Sequence, residues 1–295
     1  MIGAAPLGTV VFAGMALAGL STGLASPPLA AAVARWIAEP RRPAANGLIN
    51  AGTGAGIMLS GLAVMAFASA WRELYMAFAA MGAAITLWLW LTIPPGRLLT
   101  DAPTGPAGRG QGVVALGLAG LLMGAGSTAV WTFGADILQD RLAVTDRGIA
   151  LAWIVLGAAG LTGAVTGVLT DRWGIGAVHW LALGLMGAAL AWLAVTGPGC
   201  WGPLGVMALF GAGYILSTGA LLLWGIAIFR GRPDMGLGLA FLTIAAGQSV
   251  GAPAFAALSE ARGIDTALWA AVLVMALAAL PVPHRGARVV PVPAA

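Results

Sequence analysis

The chain has 295 residues, 60% hydrophobic and only 8% charged, with 14 basic against 10 acidic side chains. An ordinary soluble domain carries about 25% charged residues, so this composition excludes a water-soluble globular protein. The net charge of +4 is spread over arginines in short segments, which excludes a nucleic-acid footprint, and no glycine-rich run precedes a lysine to cradle a nucleotide.

Apolar runs bounded by Arg, Pro, Asp or Gly clusters predict nine membrane-spanning helices. They run over 8–35, 46–69, 73–93, 112–135, 148–170, 176–196, 203–229, 235–258 and 265–282. Each reaches roughly the 18–20 residues that cross a bilayer core. The chain is read as an all-α, multi-pass membrane protein whose first partner is the lipid bilayer.

The start, Met1 to Pro6, lacks the basic residues of a secretory leader, so the first run is read as a retained span. Pro27-Pro28 within it predicts a kink, because proline removes a helical hydrogen bond. Gly19-Leu20-Ser21-Thr22-Gly23 fits G-x-S-x-G, a hydrolase nucleophile turn, but a serine nucleophile needs a base in reach. The histidines are His179, beside the 167–174 loop, and His284, in the tail. An intramembrane serine hydrolase is therefore the least favoured reading, and no catalytic residue is assigned. Lone Cys200 forms no internal disulfide, and no metal-ligand spacing or cofactor motif occurs.

Small residues follow at Gly52-Gly54-Gly56 in the second span, Gly157-Gly160-Gly163-Gly167 in the fifth and Gly247-Gly251 in the eighth. Such stripes predict close helix contacts, because in lipid small residues let backbones approach. The polar stretch 94–111 is predicted to be a linker, giving units 1–93, 112–284 and a tail 285–295. The spans carry no ionisable residue near their middles, and Asp136 lies at the outer end of the fourth.

Alternating the loops puts Arg35, Arg41, Arg42, Arg97, Arg109, Arg172, Arg230, Arg232, Arg285 and Arg288 on one side of the membrane. Arg72, Arg141, Arg147 and Arg262 fall on the other. The positive-inside rule makes the first side cytoplasmic and places the C-terminus there, in a cell (inner) membrane. A repeat also emerges. Gly19-Leu20-Ser21-Thr22-Gly23 matches Ile215-Leu216-Ser217-Thr218-Gly219 at an offset of 196, and Ala51-Gly52-Thr53-Gly54 matches Ala246-Gly247-Gln248-Ser249 at 195.

The string Gly167-Val168-Leu169-Thr170-Asp171-Arg172-Trp173-Gly174 resembles the signature loop of the major facilitator superfamily of transporters. Residues 19–30 and 46–53, with Trp131-Thr132-Phe133-Gly134-Ala135-Asp136, resemble its YbfB/YjiJ branch. The resemblance implies two pseudo-symmetric helical bundles. The nine spans then match helices four to twelve of that fold, with a partial first bundle, a cytoplasmic linker and a six-helix second bundle.

From the family's cavity-lining helices, the resemblance implies a cavity offered by Ser21, Thr22, Ser26, Asn50, Thr53, Ser127, Thr128, Trp131, Trp153, Tyr214, Ser217, Trp224 and Gln248. It implies a cytoplasmic latch in which Gly167, Asp171, Arg172 and Gly174 meet Arg41, Arg42 and Asn46. Asp136 is the candidate proton carrier, the alternatives being a residue in the absent helices or no coupling. The implied function is alternating-access transport of a small organic solute, without nucleotide. The rival is a non-transporting remnant or assembly partner, or a chain that works with another supplying three helices.

Overall fold

The computed structural model describes residues 41–67, 70–92, 110–197, 202–229 and 232–283, with isolated positions between 10 and 38. Most of the first predicted span, the cavity residues Ser21, Thr22 and Ser26, the body of the linker, Cys200, and the tail from His284 onward lie outside them.

Every regular element among the described residues is helical. Helix α1 (Arg42–Ala66) has Pro43 in its first turn, where its missing N–H costs nothing. Helices α2 (Trp71–Thr92) and α3 (Gly110–Trp131) follow. Beyond α3, a turn of helix at Gly134–Asp136 runs into a π-helical stretch, Ile137–Arg141. Thr145 then caps α4 (Asp146–Gly160), its side chain accepting from the Gly148 N–H. A 3₁₀ segment, Leu161–Val165, joins α4 to α5 (Thr166–Trp173), so the predicted span 148–170 is one bent path of three pieces.

Helices α6 (Ile175–Val195), α7 (Gly202–Ile228), α8 (Pro233–Arg262) and α9 (Ile264–Ala278) complete the chain. Counting α4 to α5 as one span, seven described helices are long and apolar enough to cross a membrane, and α9 is shorter. The eight predicted spans from 46–69 onward each coincide with one of these.

Helices α3 to α9 form one bundle around α7, whose Phe210, Leu221 and Trp224 are among the largest fully buried side chains. Helix α1 lies outside that bundle, against α4, the 3₁₀ segment, α5 and α7. Helix α2 has no buried residue and touches α1 weakly. Beyond Arg72 and Glu73 in its first turn, it is apolar on nearly every side, the pattern of a helix surrounded by apolar neighbours or lipid.

Two turns share one backbone geometry. Gly174, between α5 and α6, has φ 86° and ψ 155°, and Gly263, between α8 and α9, has φ 87° and ψ 158°. Glycine occupies this region because a Cβ would clash with the local backbone. The final glycine of the 167–174 string is thereby explained by the turn it makes.

Candidate functional site

The site lies along the seam between α1 and the bundle. Gly47, Gly54 and Gly61, at seven-residue spacing on α1, face Ala164, Gly157 with Gly160, and Ile154 in turn. The facing numbers fall as α1 advances, so the strips run antiparallel. A Cβ on Gly54 would lie 2.7 Å from the Gly160 carbonyl carbon and 2.8 Å from the Gly157 oxygen. Backbone thus meets backbone at the middle of the seam. This corrects the Gly52-Gly54-Gly56 stripe: Gly52 and Gly56 meet nothing within 4 Å, because residues two apart do not share a helix face.

On either side of this crossing the helices part. One cleft, of about 330 Å³, is bounded by Asn46, Asn50 and Thr53 of α1, Thr166 and Gly167 of α5, and apolar positions of α7 and α8. The other, of about 420 Å³, is bounded by Ile57, Ser60 and Val64 of α1, Ala135 and Gln139, and Asp146, Ile149 and Trp153 of α4. The two lie toward opposite ends of the seam, because α1 contributes its first half to one and its second half to the other.

Asn50 borders the first cleft. It is buried, and its Nδ2 donates to the Ile215 carbonyl of α7 at 2.8 Å. That bond ties α1 to the bundle across 165 residues of sequence.

Behind Trp153 lies an aromatic group drawn from three helices. Trp131 sits 5.6 Å from Trp153, 4.9 Å from Tyr214 and 6.1 Å from Phe210, measured between ring centres. Gln248 Nε2 donates to the Tyr214 hydroxyl at 3.2 Å and lies 3.4 Å from Ser127 Oγ. The structure therefore gathers Trp131, Trp153, Tyr214 and Gln248, all predicted, together with Phe210, which was not. Among the described residues, the enclosed Trp131 Nε1 has no hydrogen-bond partner.

Four predicted cavity residues point elsewhere. Ser127 and Thr128 are fully buried, their hydroxyls donating to the Gly124 and Ala125 carbonyls of their own helix. Trp224 is enclosed in the bundle with its ring against His179. Ser217 faces α6, where its Oγ lies 3.0 Å from His179 Nδ1. None of the four borders either cleft.

The Ser217–His179 pair was invisible in the sequence, since its members lie on different helices. It is sealed, at 0% and 1% exposure, and among the described residues no hydrogen bond of good geometry reaches His179 Nε2. No acyl substrate can reach it. Ser217→Ala is expected to lower stability by about 1–3 kcal/mol, by orphaning the second ring nitrogen. Ser217→Ala with His179→Leu should recover most of the loss, because both polar partners are then gone. Thermal melts in detergent decide this, and a parent-like melt for Ser217→Ala alone would refute it.

Of the latch set, Asn46 and Gly167 both border the first cleft. Asp171 and Arg172 are exposed at the end of α5, and Arg41 is exposed before α1. Arg42 Nε donates to the Ile37 carbonyl at 3.0 Å. Asp171 makes no ion pair among the described residues, where the pair formed is Arg141 with Asp265. Arg141 also donates to the Ala194 carbonyl at 2.6 Å, tying the π-helical stretch to the ends of α6 and α9. Asp136 is exposed and borders neither cleft.

Comparison with known proteins sets this geometry in context. The family model of the Major Facilitator Superfamily matches residues 1–233. Among solved structures, FucP, described as a Major Facilitator Superfamily transporter in the outward conformation, is similar at a TM-score of 0.52 and 18% identity. The match covers 71% of this chain and 53% of that one, so the chain spans about half the length of that transporter. No curated protein sequence matches.

Proposed function

Because the chain belongs to the Major Facilitator Superfamily, whose family model covers residues 1–233, we propose that it moves a small organic solute across the membrane by alternating access. The observation that carries the reading is the pair of clefts at opposite ends of the α1 seam, parted by the glycine crossing and Asn50. A transporter of this kind exposes a site to one side at a time, and sites in such folds sit where bundles meet near the membrane midplane. The clefts are mostly apolar with a few polar groups, which suits a small organic ligand.

In this reading the chain is a cell (inner) membrane protein of the YbfB/YjiJ branch, with a cytoplasmic C-terminus. Its helices match the fourth to twelfth of the fold, divided at the 94–111 linker. Asp171 and Arg172 latch against the Arg41–Asn46 segment when the cytoplasmic end closes. Asp136 is exposed and off both clefts, so it is a poor proton carrier. A second reading, that the chain acts with further helices or only as an assembly partner, draws on α2, which has no buried residue.

The test needs no known solute. In a Cys200→Ala background, Thr53→Cys should react with a membrane-impermeant maleimide from the Asn46 side of sealed vesicles. Ser60→Cys should react only from the other side. Labelling of both from one side would indicate an open pore, and labelling of neither would leave the assembly-partner reading standing.

A further inference from the structure

The two clefts differ in charge. Among the described residues, no charged side chain borders the cleft at the Asn46 end. The other is bordered, among the described residues, by one carboxylate, Asp146, and by no basic side chain. Its walls are otherwise apolar, apart from the Ser60 hydroxyl and the Gln139 amide.

Geometry sets Asp146 opposite an aromatic ring. Asp146 and Trp153 lie two turns apart on α4, on the same face and about 10 Å apart along the axis. Ala150, between them, is small enough to leave a recess. Trp153 is backed by Trp131, tilted 36° to it at 5.6 Å, so its indole is held in place rather than free to swing. Across the cleft, the Ser60 hydroxyl already donates to the Ile57 carbonyl at 2.8 Å. Its oxygen is thus left to accept. Asp146 has no ion-pair partner among the described residues. Arg147 is next in sequence but does not border the cleft, because successive helical residues point about 100° apart.

An indole face attracts a cation through its quadrupole, most strongly where water is partly excluded. A carboxylate two turns away attracts the same ligand and repels an anion. We propose that this cleft binds a small organic monocation, an alkylammonium, between the Trp153 indole and the Asp146 carboxylate. The proposal names a substrate class for the transporter reading and rests on that reading for its role, though not for the binding itself.

Calorimetry on the full chain in detergent, with choline as the probe, tests it. The comparison ligand is choline's uncharged isostere, in which a tert-butyl group replaces the trimethylammonium. Choline should bind at least about tenfold more tightly than the isostere, the scale of a partly desolvated cation–π contact. Asp146→Asn should weaken choline by about tenfold, and Asp146→Glu should retain most of the affinity. Both variants should melt like the parent, because Asp146 is exposed in the first turn and Thr145 still caps the helix. Trp153→Phe should bind more weakly than the parent and more tightly than Trp153→Leu. Equal binding of choline and its isostere, or an Asp146→Asn variant that binds choline undiminished, overturns the proposal.

The outcome separates from that of the transport reading. Charge-selective binding without opposite-sided maleimide labelling would leave a cation site on a protein that does not alternate. Labelling that alternates without charge selectivity would leave a transporter for another class of solute.

Discussion

Gly157→Val is expected to unseat α1 from the bundle. A Cβ at 157 would lie 2.7 Å from the Gly54 oxygen and 2.8 Å from Met58 Cα, and closer still to the Met58 nitrogen. All three are backbone atoms, so relief requires moving a whole helix rather than turning a side chain. Overpacking of this sort costs about 1–3 kcal/mol in ordinary cores. Here the loss should lie at the upper end of that range, because helix contact in lipid depends on close packing and not on expelling water.

Gly184→Ala provides the control. A Cβ there meets nothing within 4 Å, so the change should be neutral or slightly stabilising, alanine being the better helix former. Thermal melts of the two variants in one detergent make the comparison. If Gly157→Val melts with the parent, the seam is not a close contact and the division into two clefts fails with it.

Asn50→Leu is expected to keep the fold and change which cleft is open. Leucine keeps asparagine's branched skeleton, though it is bulkier, and cannot donate to the Ile215 carbonyl. Polar contacts between helices in membranes contribute about 0.6–1.7 kcal/mol. If the bond holds the Asn46 end closed, removing it shifts the population toward opening there by roughly three- to twentyfold. Labelling of Thr53→Cys should then quicken and that of Ser60→Cys should slow. Equal rates in the two backgrounds would reduce Asn50 to a packing residue.

The spans were legible because a bilayer imposes length and apolarity together, and both are written in the residue order. The 3₁₀ break at Leu161–Val165 was not, since the glycines around it suit close packing and a helix defect alike. The sequence pointed to Gly52, Gly54 and Gly56 at the seam, of which Gly54 makes the contact and the other two face away. Only the partner helix reveals that Gly47, Gly54 and Gly61 form the contact row.

The same limit applies to the site. Asn50, Thr53 and Trp153 were legible as polar or aromatic residues in spans of the right kind, and each borders a cleft. Ser217 and Trp224 had identical credentials and turned inward, toward His179. Residue type identifies a polar group in a membrane helix. Which way it faces is decided by the rotation of that helix against neighbours distant in sequence. Gln139 and Asp146 were passed over because they sit in the connection between spans, which alone gives no sign of folding over a cleft.

The turns at Gly174 and Gly263 bear on how a family's signature is read. A side chain at either position would meet open space, the setting in which sequences ordinarily drift. What forbids drift there is the torsion of the main chain. The last letter of the 167–174 string is therefore a record of chirality: an L-amino acid is the wrong hand for that bend. Gly263 obeys the same restriction in a segment that no signature marks. The closing glycine of that string is thus set by the torsion of its own backbone and not by any neighbour it touches.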